Sequence, residues 1–278
     1  MHEPFIWLEL PPGDAVRQRL RVSTCVAQGR SAHQAWEVWD SPDHGRLYRL
    51  DGHAMAATAD EHRCHEPLVH MPGLAHPAPC DALVLGGGDG ASAREMLKYP
   101  GLQTVVVAEL DAAVVEMSRR WLPSLPAGAF DDPRLQLRIG DARDYVVDAP
   151  AASVDLVVFD LTDPEDSPAS GLYGADFLAA CKRLLRAGGL LSLHLGHPVA
   201  HAQRIDTLLA RLQASFRIVC LIHTDVPLYG GPWLMACASD DTDPLACTPT
   251  QIRSRIAALR APLRCIDDGR YRQTMTRA

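Results

Sequence analysis

Hydrophobic and polar positions follow two rhythms along the 278-residue chain. Residues 1–75 are β-rich in pattern. Ala35-Trp36-Glu37-Val38-Trp39 alternates, and Gly45-Arg46-Leu47-Tyr48-Arg49-Leu50 follows the turn Pro42-Asp43-His44-Gly45. Asp51-Gly52 is a hairpin signal leading into His53 to Ala57. These segments predict a small antiparallel unit, too small to be stable alone. From Cys80 the rhythm becomes strand, loop, helix. Short apolar runs at Ala82 to Leu85, Thr104 to Leu110, Leu135 to Ile139, Leu156 to Phe159 and Leu190 to Leu195 read as buried strands. Ser92 to Lys98, Ala112 to Trp121 and Ala175 to Leu185 read as helices. That alternation predicts an α/β fold, with a parallel, doubly wound sheet over residues 76–278. Phe216 to His223 and Trp233 to Ser239 are separated by a Pro/Tyr/Gly/Gly loop without a helix, so an antiparallel pair closes the sheet.

Candidate chemistry sits at the strand ends. Gly86-Gly87-Gly88-Asp89-Gly90 follows the first buried strand and precedes a helix, where glycines allow a tight turn and a close approach of backbone to ligand. The second strand ends at Glu109, about 20 residues beyond the loop, where an acidic side chain takes both ribose hydroxyls. Together they predict a nucleoside site. Gly86-x-Gly88-x-x-Ala91 also satisfies the degenerate dinucleotide pattern. Two later features argue against a dinucleotide. Asp141-Ala142 follows the third strand, placed to read an adenine edge through a carboxylate and a backbone N–H. Asp160-Leu161-Thr162-Asp163-Pro164 follows the fourth and puts two carboxylates on the edge where ligands of open α/β sheets bind. A dinucleotide dehydrogenase has no need of that acidic pair.

In this order and spacing, the GGGDG loop, Glu109 with Asp111, Asp141-Ala142 and Asp-x-Thr-Asp-Pro resemble the spermidine synthase (polyamine aminopropyltransferase) family. The likeness extends to Ser31-Ala32-His33-Gln34, Leu50-Asp51-Gly52, Asp60-Glu61 with His65-Glu66, Gly188-Gly189, Val226-Pro227 through Trp233, and Leu263 to Ile266. It implies a Rossmann-like, seven-stranded sheet of the methyltransferase type behind a small N-terminal antiparallel β domain. It also implies transfer of the aminopropyl group of decarboxylated S-adenosylmethionine to an amine, with methylthioadenosine released. No cofactor is then bound permanently; the sulfonium donor is a co-substrate.

A free alkylamine has a pKa around 10 and is nearly all protonated at neutral pH, so the site needs a base and acids that hold ammonium groups. By resemblance Asp160 is the base, and Asp163, Tyr229, His65 and Glu66 serve the amine. Gln34, Gly86, Gly88, Asp89 and Gly90 face the donor, Glu109 its ribose, and Asp141 with Ala142 its adenine. A carboxylate at Asp89 pairs with an ammonium and repels a second carboxylate, which favours the decarboxylated donor over intact S-adenosylmethionine. The chain departs from the pattern at the acceptor end: Cys64 stands for a tyrosine, Met55 and His194 for glutamines, and Pro11 for a tryptophan of some members. Putrescine is therefore not the expected acceptor, which leaves a different amine or weak activity. The alternatives are an S-adenosylmethionine methyltransferase, or a catalytically silent nucleoside- or polyamine-binding homologue.

Composition narrows the partners. A net charge of −7 without a basic stripe disfavours nucleic acid. No apolar run approaches the roughly 20 residues of a membrane span, and Met1-His2-Glu3-Pro4 is not a signal peptide start. A cytoplasmic protein is expected, assembled as a homodimer by resemblance. The eight cysteines lack a CxxC pair and read as reduced core thiols. His62, Cys64, His65, His70, His76 and Cys80 fit no zinc spacing; His65 to His70 has one residue too many for HExxH, and Pro67 interrupts a helix there, so no metal is expected.

Overall fold

A computed structural model describes residues 5–9, 18–161 and 169–278. In chain order, the first part holds β1 (Ile6–Glu9), β2 (Arg19–Val22), β3 (Thr24–Arg30), β4 (Ala35–Ser41), β5 (Gly45–Leu50) and β6 (His53–Ala57). Then come α1 (His62–Ala75), β7 (Asp81–Gly86), α2 (Ala91–Leu97), β8 (Thr104–Glu109), α3 (Ala112–Trp121), β9 (Leu135–Ile139), α4 (Ala142–Asp148) and β10 (Val154–Asp160). The chain continues through α5 (Ala175–Leu184), β11 (Leu185–Gly196), α6 (Ala202–Ser215), β12 (Ile218–Val226) and β13 (Gly231–Ser239). It ends with α7 (Pro249–Ala257), α8 (Asp268–Gln273) and β14 (Met275–Arg277).

The large sheet has the order β14-β12-β13-β11-β10-β7-β8-β9. β9, β8, β7, β10 and β11 are parallel, and β13, β12 and β14 are antiparallel to their neighbours. Seven of these strands are the expected ones, and the short β14 adds an eighth at the edge. Both faces are covered, as a parallel sheet requires. Ala82, Val84, Val105, Val107 and Val158 pack with Leu68, Val69 and Met96 of α1 and α2. Leu83, Leu85, Val106, Val157 and Phe159 pack with Val146, Leu178 and Leu208 of α4, α5 and α6. Strand order reverses beside β7, where β8 lies on one side and β10 on the other; the crevice above that switch point is where such sheets bind ligands. The small unit is a four-stranded antiparallel sheet, β3-β4-β5-β6, with the separate pair β1-β2. All eight cysteines are free, and five are buried.

The sequence reading fails at α1. Residues 58–75 do not continue the β unit, which ends at Ala57; they lead into a 14-residue helix that contains both Pro67 and Pro72. A proline inside a helix removes the N–H that serves the carbonyl four residues back. Here those carbonyls find other donors. The Thr224 hydroxyl of β12 donates to the Arg63 carbonyl at 2.7 Å, and the Ser192 hydroxyl of β11 donates to the Leu68 carbonyl at 2.7 Å. Residues 64–75 are all buried against α2, β11 and β12, so α1 packs as part of the large sheet's cover.

Ser192 is fully buried and Thr224 half-buried. An unpaired buried carbonyl costs about 1–3 kcal/mol, whereas water can replace a lost partner near the surface. Ser192→Ala is therefore expected to lower unfolding free energy in urea by that amount and Thr224→Ala by clearly less. Equal effects would contradict the repair role assigned to Ser192.

Candidate active site

The glycine loop is shaped by its neighbours. Gly86 ends β7 opposite Asp160 of β10, and the Gly87 N–H donates to the Asp160 carbonyl at 2.9 Å. Gly86 has φ +76°, and a Cβ there would run into that same carbonyl oxygen. A Cβ on Gly88 would lie 2.8 Å from the Glu109 carboxyl carbon. Absence of side chains thus lets the first βα turn lie on the end of β8. The Gly88 N–H donates to Glu109 Oε2 at 3.0 Å, and the Asp111 N–H to Oε1 at 2.8 Å. Burial pushes the Glu109 carboxyl up to about 7; the two N–H groups pull it down, and Asp111 and Asp160 push it up further. Asp111 caps α3 and accepts from Ser31 Oγ at 2.6 Å and Gln34 Nε2 at 3.0 Å, which fastens the small sheet to this edge.

These residues line a cavity of about 280 Å³ that runs along the carboxyl edge. Asp141 and Ala142 form one wall. Asp141 caps α4 by accepting from the Arg143 N–H at 2.8 Å and pairs with the Arg143 guanidinium at 3.0 Å. Gln34, Tyr48 and Met55 of the small sheet close the opposite side.

The middle of the cavity is acidic. Asp89 is 3% exposed; its Oδ1 accepts from the Ala91 N–H at 2.9 Å and its Oδ2 from the Tyr48 hydroxyl at 3.1 Å. His65 Nε2 stands 3.7 Å from Asp89 Oδ2, and its Nδ1 lies 3.0 Å from Glu61 Oε2. Ligand atoms of His65, Asp89 and Asp160 all fall within 4.8 Å of one another. An imidazole flanked by two carboxylates is favoured in its doubly protonated form, which offers a metal no lone pair. Burial alone would lower the His65 pKa, but Asp89, Glu61 and Asp160 together raise it to about 10. Burial raises Asp160 to about 6, with His65 opposing that rise and Asp89 adding to it. Asp160 Oδ2 is buried with no hydrogen-bond partner among the described residues.

At the far end the unusual residues meet. Cys64 Sγ is 3.6 Å from the Tyr229 hydroxyl and 3.8 Å from His194 Nε2. The Tyr229 hydroxyl donates to the Met55 carbonyl at 2.5 Å, and the Trp233 indole N–H donates to His194 Nδ1 at 3.0 Å. The rings of Tyr229 and Trp233 are 4.6 Å apart. Burial holds the Cys64 thiol far above its ordinary pKa, and nearby Asp160 adds to that, so it is a neutral thiol.

Residues 61–246, which contain every one of these groups except those of the small sheet, match the family model described as the spermine/spermidine synthase domain. The chain belongs to the spermine/spermidine synthase family. A polyamine aminopropyltransferase of Nitrosomonas europaea is 44% identical over 237 residues, 85% of this chain and 72% of that protein. One of Pyrobaculum calidifontis is 35% identical over 242 residues, 86% of this chain and 84% of its own length. Among solved structures, a spermidine synthase in complex with the transition state analogue AdoDATO superposes with a TM-score of 0.90 at 26% identity, covering 97% of this chain and 91% of that one. The spermidine synthase of Thermotoga maritima gives 0.88 at 26% identity, with 97% and 90% covered.

Set against the family resemblance, the expected site residues divide into three groups. Gln34, His65, Gly86, Gly88, Asp89, Glu109, Asp141, Ala142, Asp160 and Tyr229 all line the cavity. Glu66 and Gly90 do not. Glu66 faces away, fully buried, and accepts from the backbone N–H groups of Arg264 at 2.6 Å and Cys265 at 2.8 Å. Neighbours on a helix point roughly 100° apart, so a crevice-facing His65 turns Glu66 toward the C-terminal segment. Gly90 caps α2 and packs on Pro126 and Phe130, so its role is structural. Asp163 and Pro11 lie outside the described residues. The sequence reading passed over Gly87, Tyr48 and Trp233 as site residues. Gly87 was legible as part of the loop; Tyr48 carried no signal, because its partner Asp89 is 41 residues away.

Gly86 and Gly128 both have positive φ, +76° and +86°, but nothing lies within 4 Å of a Cβ built on Gly128. Gly128→Ala should cost only the left-handed strain, about 1–2 kcal/mol. Gly86→Ala adds a clash between backbone groups of β7 and β10, and its urea midpoint should fall well below that of Gly128→Ala. Matching midpoints would mean that the two strand ends are not in tight contact.

Proposed function

We propose that this protein transfers the aminopropyl group of decarboxylated S-adenosylmethionine to an amine, releasing methylthioadenosine. The observation that carries the reading is the pair of carboxylates on one cavity edge beside Glu109: Asp89, which is buried, and Asp160, which is half-buried with its Oδ2 inside. Glu109, oriented by two N–H groups, takes the ribose hydroxyls, and the wall at Asp141 and Ala142 takes the adenine. Asp89 holds the donor's ammonium. An intact donor would bring its own carboxylate against Asp89, Asp160 and Glu109, an arrangement of like charges that costs binding.

Asp160 then serves as the base. It accepts a proton from the acceptor ammonium, and the freed nitrogen lone pair attacks the carbon next to the sulfonium. The carbon–sulfur bond breaks, its electrons stay on sulfur, and a neutral thioether leaves. A carboxyl titrating at about 6 is mostly ionised above neutral pH and is a stronger base than an ordinary aspartate. The acceptor's body lies toward Tyr229, Trp233, His194 and Met55, a wall of aromatic and sulfur groups backed by Cys64 that favours an amine other than putrescine. Asp163 is proposed as a further acceptor contact on the resemblance alone. We also propose a homodimer working in the cytoplasm. In support, Phe5, Ile6 and Trp7 of the small pair are exposed, and among the described residues no helix is long and apolar enough to cross a membrane.

Calorimetric titration tests the donor: the decarboxylated form should bind at least about tenfold more tightly than intact S-adenosylmethionine, a difference of about 1.4 kcal/mol. The reverse preference, with S-adenosylhomocysteine as product, would establish a methyltransferase. Asp160→Asn should lower kcat by about 10²-fold or more, the usual worth of a positioned base, while methylthioadenosine still binds. Loss of that binding would remove Asp160 from its assigned role.

Glu109 gives a pH signature. Ribose hydroxyls donate to the ionised carboxylate, so binding favours loss of the proton that the free site holds below about pH 7. Methylthioadenosine affinity should be level above that pH and weaken toward about tenfold per unit below it. In Glu109→Gln the slope should vanish along with much of the affinity; a slope that persists would assign it to another group.

A further inference from the structure

Glu61 is used by neither the nucleoside half nor the amine half of the site, yet it joins His65 of the cavity wall to the fold behind it. It precedes α1 and is 5% exposed. Its Oε2 accepts from His65 Nδ1 at 3.0 Å and from the Arg94 guanidinium at 2.8 Å, and Arg264 stands 3.6 Å from Oε1. Arg94 is itself fixed, donating to Glu95 Oε1 at 2.9 Å and to the Leu125 carbonyl at 2.8 Å. Charges therefore alternate in a file from α2 into the cavity: Arg94, Glu61, His65, then Asp89 with Asp160.

We propose that Glu61 is a positioning residue of the transfer reaction, which through His65 keeps a cation beside Asp89 and Asp160 so that Asp160 is ionised and available before the amine arrives. The inference rests on the aminopropyl-transfer reading for its kinetic consequence, though not for its chemistry. Two carboxylates this close in a dry crevice share a proton unless a cation stands by them. A protonated Asp160 cannot relieve the acceptor of its proton. His65 supplies the cation, and Glu61 supplies both its second proton site and its orientation. The groups facing His65 are Glu61 and Cys64 from its own segment, Asp89 from the glycine loop, and Asp160 from β10. Tyr48 of β5 acts through Asp89, Tyr229 lies behind Cys64, and Arg94 of α2 acts through Glu61. Burial would raise the Glu61 pKa, but His65 and Arg94 hold it down at about 2, so its charge persists at every working pH.

The sign follows. Removing the Glu61 charge lowers the His65 pKa, though Asp89 and Asp160 still raise it, and Asp160, less firmly opposed by a cation, titrates higher. In Glu61→Gln the acid limb of kcat/KM should move up by about one pH unit. In that variant kcat at pH 7 should fall about tenfold, with donor KM and methylthioadenosine affinity changed less than about threefold. Glu61→Asp, which keeps the charge, should return the limb toward its original position. Nitrogen-15 spectra of labelled histidine, with His65 identified by the signal lost in His65→Gln, should show both ring nitrogens protonated up to pH 8 in the native protein and a ring that loses its proton at lower pH in Glu61→Gln.

An unmoved acid limb in Glu61→Gln would overturn the proposal, and if accompanied by a lower melting temperature it would leave Glu61 as support for α1. A neutral His65 at pH 7 in the native protein would overturn it equally. Absence of amine turnover by the native protein would refute the aminopropyl-transfer reading instead, and the histidine spectra would still decide the charge of His65.

Discussion

Two carboxylates held close together at the edge of one sheet, one buried and one half-buried, repel each other, and this repulsion sets the terms for what surrounds them. Asp89 and Asp160 follow adjacent strands, β7 and β10, at the point where strand order turns. The fold cannot draw them apart, because the Gly87 N–H is bound to the Asp160 carbonyl. Charge has to be answered by charge, and His65 answers it from α1. That role explains why a helix with two prolines is packed so deeply. His65, in its first turn, reaches the acids, and the ladder bonds the helix loses are replaced by hydroxyls from the sheet beneath.

The two ends of the cavity are built from different materials. The nucleoside end uses backbone N–H groups and carboxylates at strand termini, where the sheet fixes geometry. Glu109 joins the first βα turn to the second by accepting from both. The amine end draws on four separate elements, through the Met55 carbonyl of β6 and the side chains of Cys64 of α1, His194 of β11 and Trp233 of β13, with Tyr229 from the loop between β12 and β13. The first end is fixed by main-chain groups, whereas the second depends on how side chains from these elements meet. Met55, Cys64 and His194, the described positions at which the sequence differs from the pattern it resembles, meet at this second end.

The large sheet was legible in the sequence because its strands are short, continuous apolar runs separated by helical patterns, and the ends of those runs mark the site. Glu109 and the glycine loop follow from that reading directly. Helix α1 was not legible, because local sequence rules count Pro67 and Pro72 as breakers and the donors that offset them lie 161 and 124 residues away. Glu66 was misplaced for a related reason. A motif written as a string sets His65 and Glu66 side by side, but on a helix they face different surroundings. Tyr48 and Glu61 needed three-dimensional knowledge, since each acts through a partner from another element.

The fastening of α1 also has an order in time. Ser192, Thr224, Tyr271 and Arg255 all reach its carbonyls, and Glu66 is satisfied by the amides of residues 264 and 265. Every one of these groups belongs to the last third of the chain. On the ribosome, where chains emerge from the N-terminus and domains fold as they become complete, the segment carrying His65 appears early but must wait for almost the whole polypeptide. A prematurely terminated product therefore cannot assemble a working acid cluster, however well its first strands pair.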